Sequence, residues 1–162
     1  MLRAGVRGLI AGAVGTLAMD LVWYIRYKRS DGSSDFLTWE TASGLDSWDD
    51  ASAPAKVGKL LYEASTQREL PASQARLTTN VMHWMYGVQW GVLFGFVAPS
   101  GVRLWQGPLL GGLVWLASYV SLPVAGVYQP IWSYDLKTLW QDLSAHLVYG
   151  SVTGIAMRTL PH

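Results

Sequence analysis

Four stretches of this chain run almost without charge for the length that a helix needs to cross a bilayer, about 20 residues. They cover residues 4–24, 77–98, 104–127 and 139–157. In the first, Asp20 is the only charge after Arg7; the second and third contain no Asp, Glu, Lys or Arg. The fourth is the least apolar, because Asp142 and His146 lie inside it. The expected fold is all-α: a polytopic membrane protein with four transmembrane helices. Composition agrees, with 14% charged residues against about 25% in a soluble domain. Nine Trp among 162 residues suit a chain with many positions at headgroup depth. Arg3 and Arg7 precede the first run as they would in a signal peptide, but its length reads as a retained helix.

Residues 28–76 differ in character and hold most of the acids, including Asp31, Asp35, Glu40, Asp46, Asp49 and Asp50. They read as a polar loop outside the membrane, able to cap one end of the helices like a lid. Within it Val57, Leu60 and Leu61 recur at helical spacing beside Lys56 and Lys59, a pattern for a short interfacial helix or an ordinary solvated loop. Trp39 and Trp48 are candidate anchors at the headgroups. Pro71 suits the first turn of the second helix. Pro99-Ser100-Gly101 is a turn signal, which predicts a tight antiparallel hairpin of the second and third helices.

The second and fourth runs share the pattern H-x-x-Y-G-x-x-x-G, at 83–91 and 146–154. The first and third share a looser one, Gly8 with Gly12 and Gly107 with Gly111. The chain therefore reads as two tandem related helical hairpins, 1–98 and 101–162, forming one membrane domain. Two helices per hairpin bring both halves back to the same side, which predicts a pseudo-two-fold axis along the membrane normal. The glycines have a packing use: Gly87, Gly91 and Gly95 line one stripe, and Gly150 and Gly154 repeat it. Without side chains, helices approach closely, and that contact replaces the hydrophobic drive that lipid does not supply. Such a stripe packs the bundle or mates subunits.

Four polar residues inside these runs are the candidate site: Asp20, His83, Asp142 and His146. A charge at mid-bilayer costs about 2.5–3.5 kcal/mol on insertion scales, so each should face the bundle interior, water or the interface. Asp142 and His146 stand i and i+4 on one helix face, and the carboxylate can fix the imidazole tautomer. His83 is the repeat equivalent of His146 and is expected at similar depth, giving a convergent His/His/Asp site. Asp20 precedes Arg26, Lys28 and Arg29 and is expected to pair with one of them near the interface. The site has four readings: helix packing alone, proton or ion handling, metal binding, or a haem held between His83 and His146. No cofactor is favoured.

The second half resembles the YagU-like inner-membrane family of bacteria, whose molecular role is not established. The resemblance rests on Leu104-Trp105-Gln106-Gly107, Leu122-Pro123 and Asp142 four residues before His146-Leu147-Val148. In the first half His83 corresponds to a family histidine, and the stretches Trp48-Asp49-Asp50, Arg68-Glu69-Leu70-Pro71 and 80–84 look like actinobacterial membrane proteins. Asp20 stands where the family pattern has a basic residue, so no role carries over to it. The resemblance implies a multi-pass protein of the bacterial inner membrane and supplies no reaction. A strict count of Lys and Arg places the polar loop inside. The first-helix arginines and the resemblance place both termini in the cytoplasm, and that orientation is adopted.

No G-x-S-x-G, H-E-x-x-H or phosphate-binding glycine loop occurs. The absence of cysteine removes disulfides and thiolate chemistry. A formal net charge of +1 gives no reason to expect nucleic acid. The expected class is a non-enzymatic structural or accessory membrane component, able to form a homo-oligomer or join a larger complex. A small transporter or proton/ion pathway is second, and a haem- or metal-binding protein third.

Overall fold

The structure is a computed structural model that describes residues 1–41, 47–49, 51–98 and 101–161. Asp46 and Asp50 of the polar loop, and Pro99 and Ser100 of the expected turn, lie outside the described residues. Every regular element described is helical: α1 (Leu2–Arg29), α2 (Phe36–Thr41), α3 (Ala53–Thr66), α4 (Ala75–Val97), α5 (Gln106–Val124) and α6 (Leu136–Thr159). Two helices, α1 and α5, are long and apolar enough to cross a membrane. Of the four expected spans, α1 and α5 have that length and apolarity, while α4 and α6 have the length but not the apolarity.

Local chemistry explains the boundaries. Asp35 and Asp135 begin α2 and α6 in the same way: one carboxylate oxygen accepts from the backbone N–H three residues on, the other from that threonine's hydroxyl. Each satisfies a donor that the first helical turn leaves free. Pro54 enters α3 in its first turn, and Gln67 ends it in the left-handed conformation. Pro71 opens a short 3₁₀ turn, Ala72–Gln74, that runs into α4. Pro123 lies in the last turn of α5, where it cannot donate to the carbonyl four residues back and so helps to end the helix, and Gly126 at φ 70° reverses the chain.

The close interfaces are α1 on α4, α1 on α6 and α5 on α6. Their directions follow from paired positions. Along α1, Gly8 meets Gly91 and Gly12 meets Gly87, so α1 and α4 are antiparallel. Arg7 donates to Met157 O and Arg26 to Gln141 O, so α1 and α6 are antiparallel as well. Gly107 meets Gly150 and Gly111 meets His146, which orients α5 against α6. The order is up-down-up-down, with the chain termini at one end and α2 and α3 at the other. The tight hairpin expected of the second and third helices is corrected here: the close partner of α4 is α1, and that of α5 is α6.

The glycine stripes lie inside these interfaces. A Cβ on Gly12 would stand 2.9 Å from Gly87 O and 3.0 Å from Gly91 Cα; one on Gly107 would stand 2.8 Å from Gly150 O. Gly95 faces Ala4, and Gly154 faces Gly107. Each hairpin is thus closed by the same glycine-to-glycine contact, backbone against backbone. The joints between hairpins differ. α1 meets α6 where Gly15 faces Thr153 and Tyr149. The repeat equivalents of Gly15 and Thr153 are Val114 and Trp90. Those two join the apolar core instead, and α4 and α5 are not among the closely packed helix pairs.

Large apolar side chains cover much of the bundle's outer surface, around a core that is itself largely apolar. Leu9, Ile10, Val14, Leu17 and Leu21 of α1 are exposed, as are Leu109, Leu113, Leu116 and Val120 of α5. Val81, Met85, Leu93 and Phe96 do the same on α4. Buried positions include glycine, Thr16, Thr153, Ser118 and Asp20.

The expected polar loop contains two helices. α2 straps the end of α1 to the start of α4. Tyr24, Tyr27, Phe36 and Trp39 form an aromatic cluster with ring centroids 5.3–6.2 Å apart. Arg76 donates to Trp39 O at 2.6 Å, Trp84 Nε1 to Glu40 Oε1 at 3.0 Å, and Asn80 to Glu40 O. α3 lies on α4 through small residues: Ala55 is buried with Ala75, and Gly58 meets Thr78 and Met82. Leu60 and Leu61 stay exposed.

Candidate functional site: two histidine–aspartate pairs

The positions paired across α1, α4 and α6 set the depth of every polar group. Gly15 faces Tyr149 and Thr153, and Arg26 reaches Gln141 and Ser144. Asp20 falls between these levels, opposite His83 on α4 and level with the turn of His146 on α6. The four candidates therefore lie in one layer. By helical rise, His83 stands about 12 Å below the start of α4. Below this layer, toward the termini, are the glycine contacts.

Within the layer the residues form two pairs. His83 Nε2 stands 2.8 Å from Asp20 Oδ1. The ring is turned so that this contact is not an aligned hydrogen bond, and Oδ2 of Asp20 has no hydrogen-bond partner among the described residues. Attraction at this distance therefore depends on charge, which the imidazole carries only when protonated. Asp20 is 4% exposed, while the His83 side chain is partly exposed. The expectation that Asp20 pairs with Arg26, Lys28 or Arg29 is corrected: Arg26 turns instead to α6, where Nη1 donates to Gln141 O at 2.6 Å and Nη2 to Ser144 Oγ at 2.8 Å.

The second pair is local. His146 Nδ1 lies 2.9 Å from the backbone carbonyl of Asp142 and 3.4 Å from its carboxylate. The carbonyl contact fits a tautomer with the proton on Nδ1. Asp142 also has Arg26 within electrostatic reach and the Tyr119 hydroxyl beside it. Tyr119 belongs to a second aromatic cluster with Trp115, Tyr128 and Tyr134, at centroid distances of 5.1–5.9 Å. In the segment after α5, burial pushes the Tyr128 phenol up to about 12, with Asp142 and Tyr134 adding to the rise.

The convergent His/His/Asp site is thus corrected to one pair between α1 and α4 and one within α6. Among the described residues no three His, Asp or Glu stand together as a metal would require. His146 Nδ1 is held by its own helix, and His83 Nε2 lies beside Asp20.

Several participants carry no signal in the motif. Arg26 reads as a flanking charge, and its partner lies on a helix more than a hundred residues away. Glu40, which fastens α2 beside His83, lies in a polar loop. Tyr149 was visible, as the tyrosine of H-x-x-Y-G. Its hydroxyl donates to Gly87 O at 2.6 Å, so the motif of one hairpin binds the glycine of the other. Tyr86, its repeat equivalent, instead turns outward against Trp90.

No known protein family, curated protein or solved structure matches the chain.

Proposed function

We propose that the chain is a four-span membrane bundle that serves as a non-enzymatic structural or accessory component, with lipid as its solvent. The observation that carries this reading is the distribution of its side chains. Leucine, isoleucine and valine cover the outer faces of α1, α4 and α5, while glycine, threonine and paired polar groups fill the contacts. In water such surfaces would drive aggregation; in hydrocarbon they are solvated, and close glycine contacts hold the helices. α6 crosses with Asp142 and His146 because α1 and α5 cover it and Arg26 lies near the carboxylate.

Placement in the bacterial inner membrane, with termini in the cytoplasm, and membership of the YagU-like group belong to the same proposal, supported by the sequence stretches given above. Single cysteines test the crossing, since the chain has none of its own. Cysteine at Arg3, Gly101 and Arg158 should react with an impermeant thiol reagent from one side, and at Ser33 and Ser65 from the other. Labelling of all five from the same side rejects four spans.

A second reading, a small proton or ion pathway, is favoured by one observation: Asp20 is buried with an oxygen that nothing in the described chain satisfies.

A further inference from the structure

The two histidine–aspartate pairs are equivalent in depth but not in charge balance. Asp142 has Arg26 nearby, the Tyr119 hydroxyl beside it and His146 on its own helix. Asp20 has no Lys or Arg within ion-pair distance among the described residues; its close ionisable partner is His83. A lone carboxylate in such surroundings is costly, and proteins meet the cost by pairing or neutralising the charge. A single proton, held by the imidazole or the carboxyl, would supply the balancing charge.

We propose that Asp20 and His83 form a proton-exchange site, loaded from the α2–α3 end of the bundle, with the proton as its cargo. The step balances simply. Hydronium gives one proton to the pair and leaves as water; release returns that proton to water. No bond other than those to the proton is made or broken. Geometry supplies the access: Asp20 is buried, but the side chain of His83 is partly exposed. Beside it on α4, Asn80 and Trp84 bind Glu40 of α2. Other charged or titratable groups at this end include Arg26 and Lys28 on α1, Glu40 on α2, Lys59 and Glu63 on α3, Arg76 on α4, Tyr119 on α5, and Lys137, Asp142 and His146 on α6. The inference rests on the pathway reading and assigns Asp20 and His83 as the groups that carry the proton.

The test uses full-length protein in vesicles that contain a pH-sensitive dye, with potassium and valinomycin to balance charge. Impermeant thiol labelling of a Ser33→Cys background in the same vesicles reports insertion separately. Inserted wild type should acidify the lumen faster than protein-free vesicles. Asp20→Asn and His83→Gln should each reduce that rate about tenfold, while Tyr86→Phe leaves it unchanged. Wild-type flux at the protein-free level, or undiminished flux in inserted Asp20→Asn, overturns the proposal. Failed labelling overturns the membrane reading instead.

Ring ¹⁵N spectra of histidine-labelled protein in micelles give a second measurement, with His83→Gln for assignment. Nε2 of His83 should change protonation or tautomer in Asp20→Asn while His146 does not. An unchanged His83 spectrum in folded Asp20→Asn overturns the shared proton. If Asp20→Asn does not fold, Asp20→Glu keeps the acid and should retain flux and an Nε2-bound proton; loss of both in folded Asp20→Glu overturns the site.

Discussion

At the scale of single residues, the glycines divide by what a side chain would meet. A Cβ on Gly91 would be 2.5 Å from Gly12 Cα, whereas one on Gly112 has nothing within 4 Å. Gly91→Leu should therefore destabilise the bundle by about 1–3 kcal/mol, the usual cost of overpacking. Gly112→Leu should stay within about 0.5 kcal/mol, as for surface changes. Thermal unfolding of the two variants in one detergent checks both. Tyr149→Phe removes the hydroxyl that links α6 to Gly87 O and should cost about 1 kcal/mol. An unaltered melt would mean that the carbonyl finds another donor. The Asp20–His83 contact was not legible at this scale. Both residues stood out as polar groups in apolar runs, but their meeting depends on the register between α1 and α4, which hydropathy does not encode. The Asp142–His146 pair was legible, because i, i+4 spacing within one helix needs no tertiary information.

At the scale of elements, the recurring device is the Asp-x-x-Thr cap of α2 and α6. Both Asp35 and Asp135 titrate below the ordinary 3.8, chiefly because the Thr38 and Thr138 hydroxyls and backbone N–H groups bind the charged form. A lowered native value means that the cap contributes fully above 3.8 and is lost as pH falls through the lowered value. Helicity by circular dichroism should thus hold down to about pH 4 and then decline. Asp35→Ala/Asp135→Ala should remove that acid-dependent part and begin from a lower helicity; an identical acid transition would assign it to other carboxylates. α2 tests the strap in another way. Its hold comes from Trp39, Glu40 and their partners on α4, so Glu40→Ala should raise amide exchange over 36–41 more than over α4. The four long helices were legible from run length alone. The helices α2 and α3 were harder to read, because docking against α1 and α4 stabilises segments whose own apolar content is slight.

Across the whole molecule, the two hairpins share some contacts and differ in others. Each hairpin closes on glycines at equivalent positions, and each carries a histidine at the same level. Where one joint has Gly15 and Thr153, the equivalent joint has Val114 and Trp90, and there the hairpin edges are not closely packed. Exchanging Val114→Gly and Trp90→Thr together should draw α4 and α5 closer. Spin-label distances between Leu93 and Leu113 positions would shorten if bulk alone sets the gap, and would be unchanged if the loops set it. The asymmetry resides in residues outside the repeat motif, so the motif gave no sign of it.

Backbone contact at the glycines also has a mechanical consequence. Helices that touch through main-chain atoms cannot shear past one another without collision, yet they can tilt about the point of contact. A rocking motion about the glycine half would make it the fulcrum and the helix ends beyond it the lever arms. Small rotations there become their largest displacements at the opposite end, where Asp20, His83 and the α2 strap sit.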